Sequence, residues 1–273
     1  MATATTTETI ATSGRHRRRF YESNAFRIIV LLMAFVVLWQ LLADYVITSP
    51  LIFTSPLKVA QYVAEQFATN GPLLNDIWTS GQEFLIGFTS AAVLGVLLGL
   101  ALGANDTARK WANPLLNALY ATPMLAIAPV LIVLLGLGLW PKLIIIFLEC
   151  IFPVITGTMV GVTTTNRLYV EAGEVYGAKG WKALLKVYLP SSVPSIVGGL
   201  RLAIGRGVIG VIVAELFGST AGLGHNIWNA SQTLDMPAMY TSVLILAGVS
   251  VGGMSLLGWV HKKITPWEAG PRA

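Results

Sequence analysis

Charge is what this sequence has least of. Lys, Arg, Asp and Glu together make up 11% of its 273 residues, where soluble domains carry about 25%. With 55% of the residues hydrophobic, a soluble chain of this length could not hide its apolar surface in one core. Cysteine is nearly absent as well. Cys150 stands alone in an apolar run, so no internal disulfide can form and the redox compartment is not readable from it. No Gly-x-x-x-x-Gly-Lys-Ser/Thr phosphate loop occurs, which excludes nucleotide binding through that motif. His16, His225 and His261 lie in a basic arm, a loop and a span end, with no metal-ligand spacing among them. No catalytic constellation and no internal repeat is visible. The expectation is a chain that is no enzyme on its own and holds no cofactor or metal.

What the sequence has in abundance is long apolar runs. They fall at about 27–46, 82–104, 114–135, 142–162, 195–217 and 240–260, each bounded by polar, Gly or Pro residues. A helix of about 20 apolar residues crosses a bilayer, so the fold class is all-α, a polytopic helical membrane protein with about six transmembrane helices. The first run follows "RHRRRF" and could be read as a signal peptide. No small-residue cleavage pattern follows it and five more runs do, so a signal anchor is expected.

Six spans place both termini on one side. Of the 18 basic residues, 14 fall on that side: Arg15, Arg17, Arg18, Arg19, Arg27, Arg109, Lys110, Arg167, Lys179, Lys182, Lys186, Lys262, Lys263 and Arg272. Lys58 and Lys142 fall on the other, and Arg201 and Arg206 lie within a span. Basic residues favour the cytoplasmic side, so both termini are expected there. The net charge of +5 is then topological, and no nucleic-acid partner is implied.

The expected organisation is a basic cytoplasmic N-terminus over 1–26, a single membrane domain over 27–262 and a cytoplasmic tail over 263–273. The first 14 residues, rich in Ala, Thr and Ser, read as disordered. In the first external loop, Ser55-Pro56 can open a short surface helix. Gly87, Ala91, Gly95, Gly99 and Gly103 recur every four residues in the second span, a smooth face for close helix packing. Pro114, Pro123, Pro129, Pro141 and Pro153 crowd the third and fourth runs. Each frees a carbonyl, and both kinks beside a pathway and simple bends fit them. The glycine-rich "FGSTAGLGHNIWNASQTLDMPAMY" reads as a turn and a short re-entrant helix. Its "NAS" triplet at Asn229 reads as chance.

Between the fourth and fifth runs, residues 163–194 form a cytoplasmic loop longer than a turn requires. Leu168, Ala172, Val175 and Tyr176 share one helical face, and Gly177 and Gly180 break the run. A second short helix then carries Trp181, Leu184, Leu185 and Tyr188, with Leu189-Pro190 expected to stop it. Such an apolar and acidic face suits a groove on a soluble partner.

"EAGEVYGA" followed by "LP" resembles the cytoplasmic EAA motif of permease subunits of ATP-binding-cassette (ABC) importers. The matching residues are Glu171, Ala172, Gly177, Leu189 and Pro190, with Gly173 where the motif has alanine. "LGVLLGLALG", "TPMLAIAPVLIVLLGLGLW", "GGLRLAIG" and "AELFGSTAGLGHNI" are similar to the branch serving nitrate, sulfonates, taurine and related solutes. The resemblance covers about residues 80 to 260. It implies a type I ABC importer-like permease in a prokaryotic plasma (inner) membrane. The partners it implies are a second permease copy, two cytoplasmic ATPases that bind and hydrolyse ATP with magnesium, and an extracytoplasmic solute-binding protein. It also implies that the loop, with Glu171, Ala172, Gly177, Ala178, Trp181, Leu189 and Pro190, is the coupling helix seated in a cleft of the ATPase.

Charge inside the spans is the remaining pointer. Arg206 sits at the middle of the fifth run. Eleven Ile, Leu and Val residues between Ile196 and Leu216 contribute roughly −3 to −6 kcal/mol to insertion, and a central arginine costs about 2.5–3.5 kcal/mol. Arg206 should therefore face protein or water. It either lines the pathway and attracts an anionic solute, or pairs with Glu149 at similar depth, which would remove the preference for an anion. Glu83 and Glu215 read as solvated or capping near the outer surface, with Glu215 a candidate for the outer gate. The expected cargo is a small anionic solute, such as nitrate, a sulfonate, taurine, bicarbonate or an organic anion; within the same class, the alternative is a neutral heterocycle such as a thiamine-precursor pyrimidine. A secondary transporter or channel would need ion-coupling groups in repeated halves, and a scaffold would need neither loop nor span charges.

Overall fold

In a computed structural model of the chain, residues 24–265 are described; the basic arm at Arg15–Arg19 and the tail beyond Thr265 lie outside them. All regular structure among the described residues is helical. The chain divides between Ser49 and Pro50 into two compact units. The first is α1 (Asn24–Leu41), continued by a π-helical turn over Leu42–Val46. It is apolar all round and, from Phe26 to Val46, long enough to cross a bilayer.

The second unit holds α2 (Pro56–Ala68), α3 (Leu73–Gly103), α4 (Asp106–Ala121), α5 (Met124–Leu135), α6 (Leu139–Thr163), α7 (Arg167–Val175), α8 (Trp181–Ala183), α9 (Leu189–Leu216), α10 (Leu223–Thr233) and α11 (Met236–Ile264). Ser55 opens α2 as its N-cap, its hydroxyl accepting from the Lys58 N–H, with Pro56 at the first helical position.

Small residues build the core. The stripe on α3 packs along α6, and the two helices run parallel: Gly87 faces Ile146, Gly95 faces Val154, Gly99 faces Thr158 and Gly103 faces Val162. Helices α6 and α9 run antiparallel and touch backbone to backbone. A Cβ at Gly199 would lie 2.7 Å from the Pro153 carbonyl oxygen, and one at Gly157 would lie 2.8 Å from the Gly199 Cα. Close approach of this kind maximises dispersion contact in a setting where lipid supplies no hydrophobic drive. As a result, 61% of the apolar window of α6 is buried against 6% in α11, which makes α6 the central helix and α11 a peripheral one.

Three expectations need correction. First, the run at 114–135 is not one straight span: Asp106–Ala121 and Ala126–Leu135 meet at 95°. Of the prolines in these runs only Pro123 breaks its helix; Pro114, Pro129 and Pro153 lie inside helices. Thr122 is extended (ψ 127°), as a residue before proline prefers, and its hydroxyl donates to the Ala118 carbonyl. Among the described residues, five helices are thus long and apolar enough to span, or six with the bent pair counted as one. Second, α3 begins at Leu73, nine residues before the expected start. Asp76, Ser80 and Glu83 are helical, buried residues rather than loop or solvated ones.

Third, Leu189-Pro190 does not stop a helix. Trp181–Leu216 is a continuous helical stretch of 36 residues. A π turn over Leu184–Tyr188 precedes the proline, and the Leu189 N–H donates to the Leu184 carbonyl. The widened turn relieves the clash that an α-helix would impose between the Pro190 ring and the carbonyl four residues back.

Candidate functional site

The segment between α6 and α9 folds as an exposed elbow. Asn166 caps α7 through the Leu168 N–H, and Arg167 pairs with Glu171 at 2.8 Å, one turn on. At the corner Gly177 and Gly180 hold φ of +77° and +55°, where other residues would be strained. Val175 and Tyr176 are the most exposed apolar side chains here, at 84% and 90%, with Leu168, Tyr169 and Trp181 also exposed. Ala172 is exposed on α7 and Ala178 is half-buried at the corner, where its N–H donates to the Gly173 carbonyl. A Cβ at Gly173 would lie 2.7 Å from Val187 Cγ2. The glycine that departs from the family motif is therefore where α7 seats against the π turn.

Beside the break at Thr122-Pro123 a cavity of about 550 Å³ opens, lined by Tyr120, Thr122, Glu149, Arg206, Ile209 and Val213. Arg206 Nη1 lies 3.6 Å from Glu149 Oε2, and the guanidinium sits 4.9 Å from the centre of the Tyr120 ring. The structure thus brings Arg206 and Glu149 together as a loose pair. The arginine side chain is 42% exposed, the glutamate 8%. A second cavity of about 430 Å³ shares Tyr120 and continues past Asn117, Thr156, Ser195 and Gly199. Both volumes suit small solutes.

Glu215 is not with them. It is fully buried at the other end of α9, where Ser80 donates to Oε1 at 2.6 Å and the Gly224 N–H donates to Oε2 at 2.6 Å. The Leu223 N–H donates to Ser80 Oγ, and Asp76 accepts from the Gly222 N–H at 2.8 Å. Carboxylates from α3 and α9 thereby satisfy the first N–H groups of α10, at the positive end of its dipole. Gly222 has no room for a Cβ against the Glu215 carboxylate. Alongside, Lys142 pairs with Glu83 and donates to Ser219 Oγ at 3.2 Å. On α2, burial raises the Tyr62 phenol pKa, partly offset by its hydrogen bond with Asn226.

The family described as "Binding-protein-dependent transport system inner membrane component" matches residues 91–267. The chain belongs to this family. A probable ABC transporter permease protein of Brucella abortus is 30% identical, over 84% of this chain and 90% of its own length. The formylaminopyrimidine transport permease protein of Halalkalibacterium halodurans is 28% identical, over 85% and 92%. The taurine transport system permease protein of Escherichia coli is 25% identical, over 87% and 88%.

This ABC importer permease is accordingly a multi-pass inner-membrane protein and a transport component, and its family implies ATPase and solute-binding partners. The capping alternative read for Glu215 holds, but its full burial and the contributions of Asp76, Ser80 and Lys142 are not marked by any motif in the sequence. One signal could have found them: polar residues at helical spacing, Asp76, Ser80 and Glu83, directly ahead of the Gly87 stripe.

Proposed function

We propose that this permease works as a homodimer, with both termini cytoplasmic, and forms the pathway through which a small solute is imported at the expense of ATP hydrolysed by two separate ATPase subunits. An extracytoplasmic solute-binding protein delivers the solute; the permease itself carries no cofactor. The observation that carries this reading is the elbow: Val175 and Tyr176 are exposed on one side of the Gly177 and Gly180 corner, and exposed Trp181 on the other opens a helical stretch that runs without a break into the α9 that bears Arg206. Glu171, Ala172, Gly177, Ala178, Trp181, Leu189 and Pro190 are proposed to engage the ATPase. Membership of the family favours this over an ion-driven carrier.

For the solute, the Arg206–Glu149 pair cancels the preference for an anion that an unpaired arginine would carry. The solute is proposed to offer Arg206 a hydrogen-bond acceptor. An anion, such as a sulfonate, meets the more exposed guanidinium first; a neutral heterocycle, as the Halalkalibacterium relative's name indicates for that protein, engages both partners and leaves the pair intact. The test is ATPase turnover in lipid nanodiscs with the ATPase and solute-binding protein co-purified, titrated with taurine and with formylaminopyrimidine. Stimulation by one names the class, and Glu171→Ala should uncouple turnover from solute. If no ATPase co-purifies and solute moves on an ion gradient, the proposal fails.

A further inference from the structure

On the flank of the second unit, α9 and α11 run antiparallel, with Gly253 against Ile204 and Gly258 against Arg201. Arg201 is an exposed arginine within a span. Among the described residues it joins none of the four ion pairs, which are Arg109–Asp106, Lys142–Glu83, Arg167–Glu171 and Arg206–Glu149. An arginine so placed seeks a polar partner at the membrane surface. Its guanidinium lies on bare backbone, since a Cβ at Gly258 would come 2.8 Å from Arg201 Nη2.

Lys262 follows Gly258 by one turn on the same stripe, about 6 Å along the axis, and helical side chains lean toward the N-terminus. Lys262 is exposed, and a stem with that lean would run back toward the guanidinium. Lys263 lies 3.9 Å from the centre of the Trp259 ring, and Trp259 is exposed; tryptophan marks the headgroup level. We infer that Arg201, Lys262 and Lys263, gathered around Gly258 and Trp259, form a binding site for the phosphate headgroup of an anionic phospholipid. A lipid is the occupant because α11 is the peripheral helix and its apolar window is almost wholly unburied, which puts the basic groups beside acyl chains. The site stands independently of which solute is carried.

The test uses the assembled transporter. It is purified from membranes and its retained lipid counted by native mass spectrometry, then melted with added phosphatidylglycerol, phosphatidylcholine or inorganic phosphate. Arg201→Gln should lower retained phosphatidylglycerol about fivefold, the factor expected for one basic contact near the surface. Gly258→Leu, which fills the seat and keeps every charge, should do the same, while Lys110→Gln on exposed α4 should not. Equal retention by wild type and Gly258→Leu overturns the site. So does equal protection by inorganic phosphate, which would make it a free-anion site. If Arg201→Gln does not assemble, Gly258→Leu and Lys262→Gln carry the test.

Discussion

Two pairs of opposite charge lie within this bundle, and they differ in almost everything but chemistry. Glu83–Lys142 is sealed, with 3% and 9% of the side chains exposed, and its lysine also reaches Ser219. Glu149–Arg206 is open on one side, with the arginine 42% exposed over a cavity and its nearest oxygen at 3.6 Å. Taking a charge out of water costs several kcal/mol unless a close partner offsets it. The sealed pair has spent that cost on holding α3 to α6 and to the segment after α9. The open pair keeps much of its arginine's donor capacity unused, and that capacity is available to a visitor. Burial, not charge, separates the structural pair from the candidate receiving one.

The comparison can be broken by removing one partner at a time. Lys142→Met strands Glu83 in a dry site and should cost about 3–5 kcal/mol, read as a large drop in thermal unfolding temperature in detergent. Adding Glu83→Leu should restore most of it; an unchanged midpoint for Lys142→Met would make the sealed pair dispensable. Glu215→Ala removes the acceptor for Ser80 and the Gly224 N–H and should cost about 1–3 kcal/mol, with hydrogen exchange rising at the start of α10 before the rest of the bundle. The smallest stability effect belongs to Arg206→Gln, under about 1 kcal/mol because the pair is loose and partly exposed. That same variant should abolish solute stimulation of the ATPase. A stability loss as large as that of Lys142→Met would show that the two pairs do the same job.

Much of the membrane architecture is legible in the sequence. Apolar runs mark the spans because a bilayer admits few alternatives, and the glycine repeat announces a face that must lie against another backbone. The outer network was illegible for a specific reason. Its partners are 59, 135 and 146 residues apart, and Glu83 and Glu215 each sit where an apolar run meets polar sequence, which also describes a solvated end. Pro123 and Pro190 teach the complementary lesson. Each proline disfavours helical geometry in the residue before it, yet one breaks its span and the other is absorbed by a π turn, because Leu184–Tyr188 widens where Ala118–Thr122 instead closes through the Thr122 hydroxyl.

The continuity of Trp181–Leu216 has a mechanical consequence. Thirty-six residues at 1.5 Å each make a rod about 54 Å long, with the elbow at one end and Glu215, the tether of α10, at the other. Rods convert rotation into displacement in proportion to their length. Pivoted at the glycine contact with α6 near its middle, this one turns a tilt of a few degrees at the elbow into a travel of one to two ångströms at the far end, opposite in direction and without any bond along it having to break.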